Sequence, residues 1–231
     1  MTARGGSFGP VQLARYLGWW EFQVARAVRR GLFPAPDLGS RWSAGLVERF
    51  AARADEIRAE VGSLPDMGAA RAARVLAERF GCEVAADAVF ELGRREVFPI
   101  TDWYKGNPLF DGHAVEVFSD RAVLDEALVA GVCVTADDAA THLRVRRVDF
   151  DHLVRAGLVA PSRWVRSGWQ RRRSAPEVAL YRVAELDALV EVEAIDWPAV
   201  RATLGGRVSL LAALPTATNK DMHGDDGEVQ G

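Results

Sequence analysis

The chain repeats itself, and the repeat limits what it can fold into more than any other feature. LARYLGWWEFQVARAVRRGLFPAP (13–36), followed by RWSAGLVERF (41–50), returns as AATHLRVRRVDFDHLVRAGLVAP (139–161), followed by LYRVAELDAL (180–189). Leu17 and Gly31-Leu32 of copy one align without gaps with Leu143 and Gly157-Leu158 of copy three. Trp42, Val47 and Phe50 likewise match Tyr181, Leu186 and Leu189. A looser copy two lies between them, as ARVLAERFGCEVAADAVFELGRREVFPIT (73–101) and LFDGHAVEVF (109–118). There Val97-Phe98-Pro99 fits Leu32-Phe33-Pro34, and Phe110, Val115 and Phe118 fit the closing pattern. Copy two is about six residues longer, and Glu96 stands where the other copies have glycine.

Each copy decodes into helix, tight turn, helix, two-stranded wing, helix. In copy three, Thr135 and Asp138 form a Thr-x-x-acid helix start. Ala139, Ala140 and Leu143 give a short helix with a small-residue face, and Arg144-Val145 breaks it. Val148, Phe150, Leu153 and Val154 then suit a second helix, which Gly157 ends. SRWVRSGWQRRRS (162–174) reads as a hairpin turning at Ser-Gly, and Tyr181 opens a closing helix with Leu186 and Leu189 inward. In copy one the wing shrinks to DLGS (37–40), and AGLVERFAARADEIRAEVG (44–62) reads as one long helix linking to copy two.

HLRVRRVDFDHLVRAGLVAP (142–161) resembles the winged helix-turn-helix of the mercury-resistance-regulator and excisionase superfamily. The aromatic at Tyr181, with Trp42 and Phe110 in the other copies, resembles the residue that closes the wing there. Arg146 departs from the Ser or Thr that commonly starts the family's second helix, and Trp20 does the same in copy one. Each loses a hydroxyl cap worth about 1 kcal/mol. The resemblance implies a mainly α fold with small β-hairpin wings, arranged as tandem winged helix-turn-helix-like units. The units span 8–64 (with the long closing helix), 65–131 and 132–192, followed by a helical extension (193–214) and a disordered tail (215–231). It also implies that the second helix enters the major groove of double-stranded DNA while the wing touches backbone or minor groove.

Local charge separates the copies, because phosphate contacts by Lys and Arg supply most non-specific affinity. The whole chain has net charge −3, so any anion-binding face must be local. Copy three has it: Arg146, Arg147, Asp149, His152 and Arg155 are the polar positions of the second helix, and Arg163, Arg166, Arg171, Arg172 and Arg173 those of the wing. From His142 to Arg182, ten arginines face only Asp149, Asp151 and Glu177. A solvated hairpin in an arginine-rich chain is the competing explanation, and Trp164 and Trp169 are expected to pack across the hairpin or on the closing helix. Gln23, Arg26, Arg29, Arg30 and Arg41 form a weaker candidate face in copy one. Copy two is acidic and is expected to act as a spacer or meet a protein, with Tyr104-Lys105-Gly106-Asn107 a wing remnant.

Catalytic chemistry finds little support. His113, His142, His152 and His223 lie in separate segments, and Cys82 and Cys133 have no partner at metal-ligand spacing. No phosphate-cradling Gly loop with a Lys occurs. The expectation is therefore a non-enzymatic, cytoplasmic DNA-binding protein without cofactor or metal, acting as a transcriptional regulator or a DNA-architecture factor. A protein-interaction scaffold of degenerate repeats, with a protein partner or as a homodimer, is the alternative. No run of eighteen apolar residues is present, so no membrane span is expected.

Overall fold

A computed structural model of the protein describes residues 6–166 and 177–217. These residues are mainly helical, with twelve α-helices and small antiparallel sheets. They form two compact units, Met1–Ala127 and Leu128–Gly231, so copies one and two share a single unit.

The first unit opens with β1 (Ser7–Phe8), α1 (Pro10–Leu17) and α2 (Glu21–Arg29), then β2 (Trp42–Ser43), α3 (Ala44–Ala51) and α4 (Ala54–Val61). It continues with α5 (Ala69–Phe80), α6 (Ala86–Arg94), the hairpin β3 (Ile100–Tyr104) and β4 (Asn107–Phe110), and α7 (Gly112–Val117). Helix α8 (Arg121–Ala130) leads into β5 (Cys133–Val134), α9 (Ala136–Leu143) and α10 (Arg147–Arg155). Strands β6 (Arg163–Arg166) and β7 (Glu177–Arg182) follow, then α11 (Val183–Val190), α12 (Trp197–Ala202) and a 3₁₀ turn, Leu210–Ala213. The sheet of the second unit has the order β5-β7-β6.

The three copies agree at the level of single backbone positions. The residue two positions before each first helix bridges the aromatic that opens the closing segment: Phe8 with Trp42, Met67 with Phe110, Val134 with Tyr181. The first helix of each ends at a residue with positive φ: Gly18 (70°), Gly81 (64°) and Arg144 (57°). The second helix ends the same way at Gly31 (70°), Glu96 (60°) and Gly157 (71°). After each of these, the next amide donates back to a carbonyl five residues earlier: Leu32 to Ala27 (2.9 Å), Val97 to Leu92 (2.9 Å) and Leu158 to Leu153 (3.1 Å). That is the hydrogen bond of a Schellman end. Of the extra residues in copy two, four lengthen the first helix and two the turn after it.

Packing repeats as well. Phe33 touches Phe50 at 5.4 Å between ring centroids, and the matching Phe98 touches Phe118 at 5.2 Å. Val159 and Leu189 fill the equivalent places in the core of the second unit, where Phe150 meets Tyr181 edge-on at 4.9 Å.

The structure departs from the sequence reading at several points, among them Val148, expected on the apolar side of its helix and 47% exposed. The stretch 44–62 is two helices rather than one; it breaks at Ala52-Arg53, and Ile57 and Val61 of α4 join the core around Val24 and Ala27 of α2. Arg146 and Trp20 make no side-chain cap bond of their own, but the N3 side chain supplies the other half of a capping box. Asp149 accepts from the Arg146 amide (3.2 Å), and Gln23 from the Trp20 amide (2.9 Å). Gln12 does the same for Gly9 in α1 (3.0 Å).

Glu96 and Arg144 hold a left-handed backbone in which a Cβ is disfavoured by roughly 1–2 kcal/mol. Glu96→Gly and Arg144→Gly are each expected to raise the thermal midpoint by about 2–4 °C, as followed by circular dichroism. A fall at either position would contradict the assigned backbone.

Candidate nucleic-acid interface

In copy one Gln23 and Arg26 are buried, while Arg29, Arg30 and Arg41 stay at the surface with partners from the chain itself. Arg26 is 1% exposed and donates to the carbonyls of Val61 and Leu64 and to Asp66. Its Nε lies 4.0 Å from Asp111. Gln23 is buried too, its amide donating to the Gly62 carbonyl at 2.7 Å. Arg29 pairs with Asp66 at 3.1 Å, and Arg30 with Asp111 at 2.8 Å. Arg41 is turned to the N-terminal strand, bonding Ser7 and Gln12 at 2.8–3.0 Å. Gln23 and Arg26 are therefore corrected as outward-facing residues. Carboxylates and carbonyls from 60–66 and Asp111 already occupy most of the donors that would have met phosphate.

An open cleft of about 330 Å³ borders this region, lined by Gln23, Asp55, Arg58, Ala59, Gly62, Ser63 and Glu116. Its polar groups are largely spent on the chain itself, since Glu116 accepts from the Ser63 amide, the Ser63 hydroxyl and the Leu64 amide.

Copy three keeps an open face. On α10, Arg147, Val148, Asp151 and Arg155 are exposed and His152 is half-buried. Arg147 bridges Asp137 (3.1 Å) and Asp151 (3.0 Å), so its charge is partly spent. Arg155 bonds only the ring of His152, at 2.9 Å, and has no carboxylate partner among the described residues. Asp149 is corrected here: it is fully buried and bonds the Arg146 amide and guanidinium, which removes it from any reading surface. Arg146 also donates to the carbonyls of Leu204 (3.0 Å) and Arg207 (2.9 Å), fastening the C-terminal extension to α10. Arg163 and Arg166 begin and end β6. Trp164, expected to pack, is instead 60% exposed. Trp169, Arg171, Arg172 and Arg173 lie outside the described residues.

Two further cations stand beside this face with no sequence signal to single them out. Arg144, in the turn between α9 and α10, and Arg207, in the extension, are exposed and have no carboxylate partner among the described residues. In sequence Arg144 reads only as a helix break, and Arg207 reaches α10 only through the folded extension.

The carboxylates that organise both second helices are held in their charged form. Burial pushes the carboxyls of Asp66, Asp111 and Asp149 up, but hydrogen bonds and nearby guanidiniums outweigh it and leave all three below the usual carboxylate value. For Asp66 the opposing bonds come from the Gly112 amide and Arg26, for Asp111 from Arg30 and the Ala114 amide, and for Asp149 from Arg146 and Ser209. A depressed carboxyl contributes stability that is present above its unfolded value, near 3.9, and is lost as pH falls through the folded one. Urea midpoints should therefore be flat down to about pH 5 and fall steeply below about pH 4. An Asp149→Asn variant should show a shallower fall in the second unit.

Copy two presents a well-formed hairpin in place of the expected remnant. Lys105 (φ 51°) and Gly106 (φ 77°) make the two-residue turn, and Ile100, Trp103 and Tyr104 are 46%, 61% and 60% exposed. Among the described residues no cluster of three or more His, Cys, Asp or Glu could hold a metal ion. None of their helices is long and apolar enough to cross a membrane. No family model, curated protein or solved structure matches this chain.

Proposed function

We propose that the protein binds double-stranded DNA through copy three, as a transcriptional regulator or a DNA-architecture factor of excisionase type. On this reading the chain is three winged helix-turn-helix-like units, of which copies one and two are fused into a support. The observation that carries it is the open face of α10. Its arginines stand exposed beside a three-stranded sheet whose β6 leads into Arg171, Arg172 and Arg173. Helix α10 would place Arg147, His152 and Arg155 toward base edges, while the wing arginines and Arg144 neutralise phosphate.

Anisotropy of a labelled duplex titrated with the full chain at 50–200 mM salt tests this. Six or more phosphate contacts predict an affinity loss of about 10³-fold or more over that range. A folded chain that leaves the duplex unbound at 50 mM salt overturns the proposal. Exposed Ile100, Trp103 and Tyr104 favour a second reading, a protein-interaction scaffold, and the same titration separates the two.

A further inference from the structure

We infer that the open basic face of copy three also takes an acidic peptide, and that its occupant is the chain's own C-terminal segment, 218–231. This contact shares its surface with the proposed DNA site. Its consequence for DNA rests on that reading, though the contact itself does not.

The extension is fastened to α10 along the helix. Arg146 holds the carbonyls of Leu204 and Arg207 at one end. Ser209 lies beside the buried Asp149 one turn on, and Leu211 sits in the core. At the other end the Ala217 amide donates to the Arg155 carbonyl at 3.1 Å. Gly157 leaves room for this crossing, since a Cβ there would lie 2.8 Å from the Ala217 methyl. The chain is thus delivered to the C-terminal end of α10, beside the one arginine on that helix without a carboxylate partner among the described residues.

The segment beyond Ala217 has the complementary charge. NKDMHGDDGEVQG (219–231) carries Asp221, Asp225, Asp226 and Glu228 against Lys220. An extended chain covers at most about 3.3–3.6 Å per residue. Asp221, four residues past Ala217, can therefore reach across about 13 Å, which is the length of the nine-residue α10. The later acids reach farther still. A segment tethered this closely has an effective concentration on the order of millimolar. Ion pairs too weak to hold a free peptide firmly therefore suffice to populate the contact. Because the same guanidiniums cannot bind carboxylate and phosphate at once, the segment competes with DNA. Binding in the cell would then be limited to sites strong enough to displace it.

Two probes test the contact separately from the DNA reading. One is a labelled peptide of residues 218–231, titrated with a full-length chain neutralised in place (D221N, D225N, D226N and E228Q). The expected result is salt-sensitive binding, half-saturated at or below about 1 mM. Adding R144A and R155A should weaken it at least threefold, and adding R74A on α5 should leave it unchanged. The other probe is a labelled duplex, which the neutralised chain should bind about 3- to 10-fold more tightly than the unaltered chain. Peptide binding without duplex binding upholds the contact and sinks the DNA reading. Duplex binding of equal strength in both chains, with no peptide binding, sinks the contact and leaves the DNA reading standing. Peptide binding indifferent to Arg144 and Arg155 also overturns the inference.

Discussion

Arg26→Met is expected to destabilise the first unit by about 3–5 kcal/mol, the usual cost of removing one partner from a buried ion pair. Met keeps most of the stem volume but donates nothing. The carbonyls of Val61 and Leu64 would lose their donor, and the partly buried carboxylate of Asp66 would keep the peripheral Arg29, the Gly112 amide and Thr101. The effect should appear as a lower urea midpoint. Because Asp66 is itself 20% exposed, the double variant Arg26→Met, Asp66→Asn should recover part of the loss, giving a coupling of at least about 1 kcal/mol. Unchanged stability in the single variant would mean that Arg26 does not hold copies one and two together.

Asp149→Ala should cost the second unit about 2–3 kcal/mol. The carboxylate is fully buried, satisfies the Arg146 amide at the N-cap of α10 and anchors the guanidinium that clasps 204–207. Its removal leaves a helix end uncapped and a buried site without its acceptors. Asp149→Asn should cost less, since the amide oxygen still accepts from the Arg146 backbone. Equal losses in the two variants would show that charge, rather than capping, is what matters there.

These two residues also show where the sequence could be read and where it could not. The cores of the copies were legible because burial demands apolar side chains at fixed helical spacing: Ala139, Ala140, Leu143, Phe150 and Leu153 are all buried as expected. The turns were legible where glycine marked them, and even Glu96 took the backbone of the glycine it replaces. Strands of two residues, such as Ser7–Phe8 and Cys133–Val134, have no period to reveal them and emerge only through pairing. Polar residues were the least legible, since a donor looks the same in sequence whether it faces solvent or a carbonyl. The partner of Arg26 lies 40 residues away, and that of Arg30 lies 81 away, beyond any local spacing rule. Gln23 and Asp149 did carry a local signal. An amide or acid three residues after the helix start is half of a capping box, and it competes with any role in recognition.

The proposal that copy three rather than copy one meets DNA is measured directly by the salt slope of duplex binding. With log affinity plotted against log salt, each phosphate contact contributes about −0.9 to the slope. The triple variant R147A, R155A, R163A in copy three should flatten the slope by about 2–3. The double variant R29A, R41A in copy one should change it by less than about 0.5. Equal flattening by both, or a loss confined to the copy-one variant, would contradict the account.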